Sequence, residues 1–233
     1  ITELVYMNIC RGLFNTHKLI FSFLIAFQIC KTAGEINEDE WGMLLRGVIV
    51  DKSLKEYKNP DPELISEKQW SFILNLESVH ENFAELPEQF ERNITQWRQW
   101  IQTTKSPTKL PFPGGLDDKI TSFQRLLIFK ALKPERLSFL CREFVQKKLG
   151  KQFSVVKPIS MAEVFQDSDH RTPLTFILTQ GADPTSTIMN FAKDVKGDTW
   201  QEQIHIISLG QGQDKVALKK VADSLVDGSW VML

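Results

Sequence analysis

Twenty-eight Lys and Arg residues against 29 Asp and Glu residues give this 233-residue chain a net charge of −1, so no global charge attracts nucleic acid or anionic lipid. A hydrophobic content of 42% predicts a globular chain with one large domain or two smaller ones. The longest apolar stretch, residues 19–30, is shorter than the roughly twenty residues that a membrane span needs. We therefore expect a buried helix there, no membrane segment and no nucleic-acid partner.

The first half of the chain is predicted to be helical. The chain opens at Ile1 inside a helical pattern and ends inside a strand pattern, which indicates a piece of a longer chain. Capping residues, apolar spacing, glycine and proline predict four further helical regions. These start at Asn15 or Thr16 and run to Cys30, start at the Asn37–Glu40 capping box and end at Gly47, span Glu67 to about Glu85, and follow Pro87.

Two further features of this half are a loop and a set of tryptophans. Residues 51–66 are charged and carry two prolines, so they are predicted to be a surface loop. Trp70, Trp97 and Trp100 could form a ligand cage or an interface, but at helical spacing they are better interpreted as core residues.

Residues 103–116 hold three prolines and two glycines, a composition that no helix or central strand tolerates. We place a subdomain boundary there, giving one domain at 1–112 and a second at 113–233. Beyond the boundary, a helix is predicted to open at Asp117 or Asp118, and the next one to begin at Pro134 and end at Gly150.

From residue 152 onward, apolar strand patterns alternate with helices. The predicted strands are residues 153–156, 174–178, 204–209 and 230–233. Strands that alternate with helices indicate βαβ units and a parallel sheet buried on both faces. The fold class is therefore predicted to be α/β, with a helical subdomain followed by the N-terminal part of a doubly wound, parallel-sheet domain.

Residues 174–188, LTFILTQGADPTSTI, are arranged like the phosphate-binding loop of P-loop NTPases: a strand, a glycine loop and a helix start. A working loop reads G-x-x-x-x-G-K-[ST], in which the lysine meets the β/γ-phosphate oxygens and the hydroxyl binds Mg²⁺. Counting from Gly181, the glycine, lysine and hydroxyl positions hold Ser186, Thr187 and Ile188. We interpret this as a degenerate P-loop that binds no cofactor.

Asp183 and Pro184 are predicted to cap the helix after this loop, with Asp183 at the N-cap and Pro184 at the first helical position. The carboxylate would accept from the free N–H of Thr185 or Ser186, in the field that a phosphate would use.

No other pattern predicts a catalytic residue or a metal site. His170 with Asp167 or Asp169 could suggest a catalytic triad, but that stretch is more simply a polar loop. The turn at 210–213 could line a ligand pocket, although a tight strand-to-helix turn explains it better. The cysteines carry no C-x-x-C motif or His cluster and are predicted to be buried thiols: Cys10, Cys30 and Cys141.

Several long segments resemble the dynein heavy chains, the AAA+ motors of microtubules. The stretches TPLTFILTQGADPTSTIMNFA, ISLGQGQDKVA and DGSWVML are similar to the degenerate P-loop region of the sixth AAA+ module. Upstream, RGLFNTHKLIFSF and SFQRLLIFKALKPERLSFLCREFV resemble the helical section that joins the fifth module to the sixth. The QGADP and LGQGQ versions look more axonemal than cytoplasmic.

The resemblance implies that 1–112 is the end of the fifth AAA+ module with a connector, and that 113–233 is the N-terminal part of the sixth. It implies a structural, non-hydrolysing role that relays conformational change between ring modules, stalk and linker. ATP and Mg would bind other modules of the parent chain. The implied partners are neighbouring AAA+ modules, microtubules, and dynein intermediate and light chains, in the cytoskeleton of a cilium or flagellum.

Two alternatives remain at this point. One is an active P-loop ATPase in which a hydroxyl of Ser186 or Thr187 assists Mg²⁺, although without a lysine the γ-phosphate charge would be unneutralised. The other is a helical protein-interaction module, built on residues 1–150 and unrelated to motors.

Overall fold

The computed structural model describes residues 2–47, 57–103, 109–155, 160–210 and 212–233. Of the loop predicted at 51–66, residues 51–56 lie outside the described residues. The α-helices and strands are, in chain order, α1 (Thr2–Arg11), α2 (Asn15–Thr32), α3 (Glu38–Arg46), α4 (Glu67–Glu77), α5 (Leu86–Arg92), α6 (Ile94–Gln102), α7 (Ser122–Leu132), α8 (Leu137–Leu149), α9 (Met161–Gln166), α10 (Thr185–Lys196), β1 (Ile204–Ile206), α11 (Asp214–Asp227) and β2 (Trp230–Met232).

The chain divides into two compact units. The helical unit is Asn15–Val156, which holds α2 to α8. The α/β unit combines Ile1–Phe14 with Lys157–Leu233, and it holds α1, α9 to α11 and both strands. The predicted α/β class, helical residues followed by a parallel-sheet region, is confirmed.

Local capping chemistry determines where α3 begins and ends. The Asn37 side chain accepts from the Glu40 N–H, and the Glu40 carboxylate accepts from the Asn37 N–H, which is the predicted capping box. Three acidic residues in the first turn suit the positive end of the helix dipole. Gly47 ends the helix with φ 77°, a left-handed conformation that glycine adopts without steric cost.

Two predicted helices are shorter than expected. The region from Glu67 ends as α4 at Glu77, and a 3₁₀ helix follows at Glu81–Phe83. The helix after Pro87 is broken at Asn93, which ends α5 and begins α6 with φ −111° and ψ 24°. The Asn93 side-chain amide donates to the Gln89 carbonyl at 2.9 Å, a local bond that competes with a continuous helix.

Helix α7 lies at the centre of the helical unit. Its residues from Phe123 to Phe129 are buried except Arg125, and α3, α4 and α8 pack against it. Aromatic rings fill the space on two sides. Phe27 stacks on Trp41 with ring centroids 3.8 Å apart, and Phe90 stacks on Trp97 at 4.4 Å. Burying one such side chain stabilises the fold by roughly 1.5–3 kcal/mol.

The three tryptophans interpreted as core residues are buried: Trp70, Trp97 and Trp100. Trp100 also meets the Phe129 ring of α7 edge-on, with centroids 5.0 Å apart. Residues 103–116, which contain the predicted boundary, are called the connector. Because Trp100 precedes the connector and Phe129 follows it, aromatic contacts join the two sides of the predicted boundary.

The compact units therefore do not divide at 112/113, where the sequence predicted a domain boundary. Within the connector, Phe112 and Leu116 are buried, and Pro113–Asp118 forms a 3₁₀ helix in which Gly114 and Gly115 have positive φ. Residues 112–118 are thus a packed part of the helical unit. The assignment of 1–112 and 113–233 to separate modules stays a prediction.

Helix starts after the connector also differ from expectation. Asp117 and Asp118 lie in the 3₁₀ helix, whereas α7 begins after Thr121, whose hydroxyl accepts from the Gln124 N–H. Pro134 opens a 3₁₀ turn, Pro134–Arg136, that leads into α8. Helix α8 ends at Gly150, as predicted.

The α/β unit contains the parallel pair β1 and β2, in register Ile204 with Trp230 and Ile206 with Met232. This pair confirms a parallel sheet, with α11 as the crossover between its strands. Rings of Phe165, Phe191 and Trp230 meet at 5.2–5.9 Å and join α9, α10 and β2.

Two of the predicted strands do not form among the described residues. Residues 151–153 form a 3₁₀ helix with Phe153 buried, so the strand at 153–156 is wrong for 153–155, and residue 156 lies outside the described residues. Residues 174–178 are exposed and form no strand. A strand needs a hydrogen-bonding neighbour, and within the described part of the chain β1 and β2 pair only with each other.

Candidate functional site: a degenerate phosphate-binding loop

The loop between residues 174–178 and α10 has the backbone form of a tight turn. The Ala182 N–H donates to the Thr179 carbonyl at 3.0 Å, and Gly181 adopts φ 82°. No heavy atom lies within 4 Å of the position that a Cβ on Gly181 would take, so its backbone conformation, not crowding, accounts for the glycine.

Asp183 holds the start of α10. Its Oδ1 accepts from the Thr185 backbone N–H at 2.9 Å and from the Thr185 hydroxyl at 2.5 Å. These two hydrogen bonds lower the pKa of Asp183 below its ordinary value of 3.8, the hydroxyl contributing most. The carboxylate is therefore ionised at neutral pH and carries the negative charge of the loop.

The helix starts one residue later than predicted. Pro184 is the N-cap, with φ −83° and ψ −4°, and Thr185 is the first helical residue, whereas Asp183 was expected at the N-cap. The Asp183 carboxylate accepts from the N–H two residues ahead, at Thr185, in an Asx-type turn that leads into the helix. The predicted bond from this carboxylate to a free helix amide is present.

The positions that bind nucleotide in a working P-loop are Ser186, Thr187 and Ile188 in this chain. Ser186 and Thr187 are exposed on the first turn of α10, and Ile188 is buried beneath them. Asp183 is the only ionisable side chain between Arg171 and Lys193, so no cation lies near the loop in sequence. Lys193 and Lys196 both belong to the last turn of α10, at the opposite end of the helix.

The possible triad around His170 does not assemble. The Asp167 carboxylate pairs with Arg11 at 2.6 Å. Asp169 accepts from the Arg171 N–H at 2.8 Å and from the Thr172 hydroxyl at 2.7 Å. Both carboxylates are thus held by residues other than His170, and the segment is an exposed polar turn.

The three cysteines are free thiols. Cys10 and Cys30 are buried, and burial raises the pKa of the half-buried Cys141 to about 11. A thiol with that pKa is protonated at neutral pH and is a poor nucleophile. Across the described ranges, no group of three or more His, Cys, Asp or Glu side chains could hold a metal ion.

The turn after β1 agrees with the strand-to-helix interpretation. Gly210 donates to the Ser208 carbonyl at 2.8 Å, Gln213 donates to the Gly210 carbonyl at 3.1 Å, and Gly212 has φ 80°. Gln211 lies outside the described residues.

An open groove of about 620 Å³ between β1 and α11 was not predicted from the sequence. Three lysines of α11, Lys215, Lys219 and Lys220, line it together with His205. Its lining includes none of the five predicted loop residues, which are Gly181, Asp183, Pro184, Ser186 and Thr187. The alternation of lysines on α11 with apolar residues is the one sequence signal that could have indicated it.

In the described ranges, no helix combines the length and the apolarity needed to cross a bilayer.

Comparison with known proteins relates the loop and its surroundings to one family. Residues 169–233 match the dynein heavy chain region D6 P-loop domain. This range contains the whole degenerate loop, α10, α11 and both strands.

Matches to individual proteins extend over the rest of the chain. Human dynein axonemal heavy chain 2 is 34% identical over 232 residues, and human dynein axonemal heavy chain 12 is 35% identical over 231 residues. The dynein-1-beta heavy chain of the flagellar inner arm I1 complex from Chlamydomonas reinhardtii is 34% identical over 233 residues. The alignments cover 98–100% of this chain but only 5–7% of those proteins.

The helical unit and the α/β unit both lie within these alignments, and the P-loop match coincides with the loop–helix geometry described above. The chain therefore belongs to the dynein heavy chain family, as a segment that includes the region D6 P-loop.

Proposed function

We propose that this chain is a structural, non-hydrolysing part of the motor ring of an axonemal dynein heavy chain. One observation carries the proposal: the loop holds Thr187 where a working P-loop has its lysine and a buried Ile188 where it has its metal-binding hydroxyl, and it carries an ionised Asp183. Phosphoryl transfer depends on neutralising the γ-phosphate charge, and this loop adds negative charge instead.

The parent chain is proposed to be an ATP-driven microtubule motor, with ATP and Mg bound in its other modules. Its proposed partners are neighbouring AAA+ modules, microtubules, and dynein intermediate and light chains. The names of the relatives, which include axonemal and flagellar heavy chains, support an axonemal location in a cilium or flagellum. Within this motor, the segment would relay conformational change between ring modules, stalk and linker.

The helical unit supports a relay role by its packing. Helix α7 is buried along most of its length and contacts α3, α4 and α8, so a displacement of one helix is passed to the others. Close-packed interiors of this kind transmit strain rather than absorb it.

The test is isothermal titration calorimetry of the 233-residue chain with Mg-ATP and with Mg-ADP. We expect no measurable binding at millimolar nucleotide, because neither a cation nor a metal-binding hydroxyl occupies its position in the loop motif. A P-loop ATPase of known affinity, titrated in the same buffer, establishes the sensitivity of the assay. A micromolar Kd would contradict the proposal and favour the alternative of an active ATPase module.

A further inference from the structure

Two helix capping boxes of the helical unit are joined by a hydrogen bond between Glu40, the third residue of α3, and Gln124, the third residue of α7. In the first, Asn37 and Glu40 exchange bonds at the start of α3, both at 2.7 Å. In the second, Thr121 and Gln124 exchange bonds at the start of α7, at 2.9 Å and 3.1 Å. The Gln124 Nε2 then donates to the Glu40 Oε1 at 2.7 Å, across 84 positions of sequence.

Both joined side chains are buried, with 1% of the surface of each residue exposed. Among the described residues no ion pair reaches Glu40. Its two oxygens instead accept one N–H each, from Asn37 and from Gln124, which is the pattern of a carboxylate. Glu40 lies in the first turn of α3, and through Gln124 it is bonded to the first turn of α7.

Side chains of the two capping boxes also bond to residues 79–82, the segment that follows α4. The Asn37 Nδ2 donates to the Val79 carbonyl at 3.2 Å, and the Asn82 Nδ2 donates to the Gln124 Oε1 at 2.9 Å. Every described polar atom of the Glu40 and Gln124 side chains therefore has a partner. Satisfied polar networks of this kind specify one arrangement of the elements they join, because any displacement leaves a buried polar group unpaired.

We propose that Glu40 and Gln124 form a buried latch that fixes α3, α7 and the segment after α4 as one mechanical unit. The latch goes beyond the proposed ring function, because it is a property of the helical unit that holds whether or not the relay operates. Its chemistry is directional: position 40 must accept on both oxygens, and position 124 must donate toward position 40 and accept on its other side.

This directionality permits an exchange experiment on the 233-residue chain. In Glu40→Gln, an amide nitrogen must face either the Asn37 N–H or the Gln124 Nε2, so donor opposes donor. In Gln124→Glu, two carboxylates face each other in a buried site. The double exchange, E40Q with Q124E, reverses the direction of the central bond. Position 40 still accepts from Asn37 and now donates to position 124, which still accepts from Thr121 and Asn82.

We expect each single substitution to lower the folding equilibrium constant roughly tenfold or more, since each leaves a buried polar group without a partner. We expect the double exchange to recover most of that loss. Guanidinium unfolding measures the equilibrium constants. Hydrogen exchange at the Asn37 and Thr121 amides reports the latch itself: protection should fall in each single variant and return in the double variant.

A third capping box supplies the matched control. Ser66 and Gln69 make the same reciprocal bonds at the start of α4, but these bonds are exposed and reach no second box among the described residues. Gln69→Glu should leave stability and the Ser66 amide exchange close to those of the parent.

The proposal would be contradicted if the single variants were as stable as the parent. It would also be contradicted if the double variant were no more stable than the less stable of the two single variants. If a single variant does not fold, refolding of the double variant alone supports the proposal, and its failure to fold contradicts it. None of these readouts uses nucleotide or motor activity, so this result is independent of the test of the ring function.

Discussion

Asp183 brings a fixed negative charge to the N-terminal end of α10, where free backbone N–H groups favour an anion. We expect this carboxylate to act as a built-in anion that holds the loop in one shape and repels the phosphates of a nucleotide. Asp183→Ala should lower Tm, because the Thr185 amide loses its acceptor. If the charge is the essential feature, sulfate or phosphate should restore the Tm of Asp183→Ala while leaving that of the parent nearly unchanged.

Asp183→Asn is the matched control, because asparagine keeps an acceptor at this position and removes the charge. For a built-in anion, sulfate should raise the Tm of the Asn variant as well as that of the Ala variant. An equal response of all three proteins would leave Asp183 as an ordinary helix cap. Thermal melts at constant ionic strength, with chloride replacing sulfate, separate anion binding from general screening.

At the scale of single residues, motif spacing predicts the chemistry of the loop, because it assigns each position without a structure. The count from Gly181 places Thr187 at the lysine position whatever the surrounding fold. The helix start could not be predicted to the residue, because Pro184 has helical backbone angles yet lies one position before the helix begins. The link between Glu40 and Gln124 could not be predicted either, since it joins positions 84 residues apart.

Residues 110–118, which precede α7, are held in place by one carboxylate. Asp117 accepts from the Phe112 backbone N–H and pairs with Arg125, whose other nitrogen donates to the Leu110 carbonyl at 2.9 Å. The Arg125 guanidinium also lies over the Phe112 ring, 4.5 Å from its centroid. We expect Asp117→Asn to cost about 1–3 kcal/mol of unfolding free energy, because the bonds to this charged group are weakened. Brief proteolysis should then cleave residues 109–118 faster than in the parent.

Asp118→Asn is the control for this experiment, since Asp118 is the exposed neighbour of Asp117 in the same 3₁₀ helix. Its cleavage pattern should match that of the parent. Rapid cleavage of the parent at residues 109–118 would show that the connector is not held by these contacts, and would favour the separable subdomains that its composition predicted.

At the scale of elements, composition excluded a long helix or a central strand for the connector, but it did not predict whether the connector is exposed or buried. Three prolines and two glycines exclude a long helix or a central strand, yet they leave open whether Phe112 and Leu116 are buried. For residues 174–178, in contrast, the pattern predicted an element that does not form. Their apolar pattern fits a strand, but strand formation depends on a hydrogen-bonding neighbour, which a pattern within one segment does not contain.

At the scale of the whole molecule, the two units differ in how much apolar surface they bury. In the helical unit, buried aromatic and aliphatic side chains surround α7 from several helices. In the α/β unit, the buried apolar residues among those described are few and mostly small: Tyr6, Cys10, Ile188, Ala192 and Ala217. The family and the order of helical and parallel-sheet regions could be predicted from long motifs, whereas this difference depends on contacts between distant segments.

The difference in burial predicts that the two units unfold separately, the α/β unit first. Buried apolar area is the main source of stability, and the α/β unit leaves large side chains such as Phe176, Ile177 and Leu225 exposed. Hydrogen exchange in increasing denaturant should show the amides of Ile207 and Trp230, which bond across the parallel pair, losing protection before those of Leu126–Ile128 in α7.

Two substitutions should separate the unfolding transitions of the two units. Trp230→Ala should lower only the denaturant midpoint of the α/β unit, because the Trp230 ring packs against Phe165 and Phe191. Trp97→Ala, which removes the ring stacked on Phe90, should lower only the denaturant midpoint of the helical unit. A single midpoint shared by both sets of amides, shifted equally by either substitution, would show that the chain unfolds as one cooperative unit.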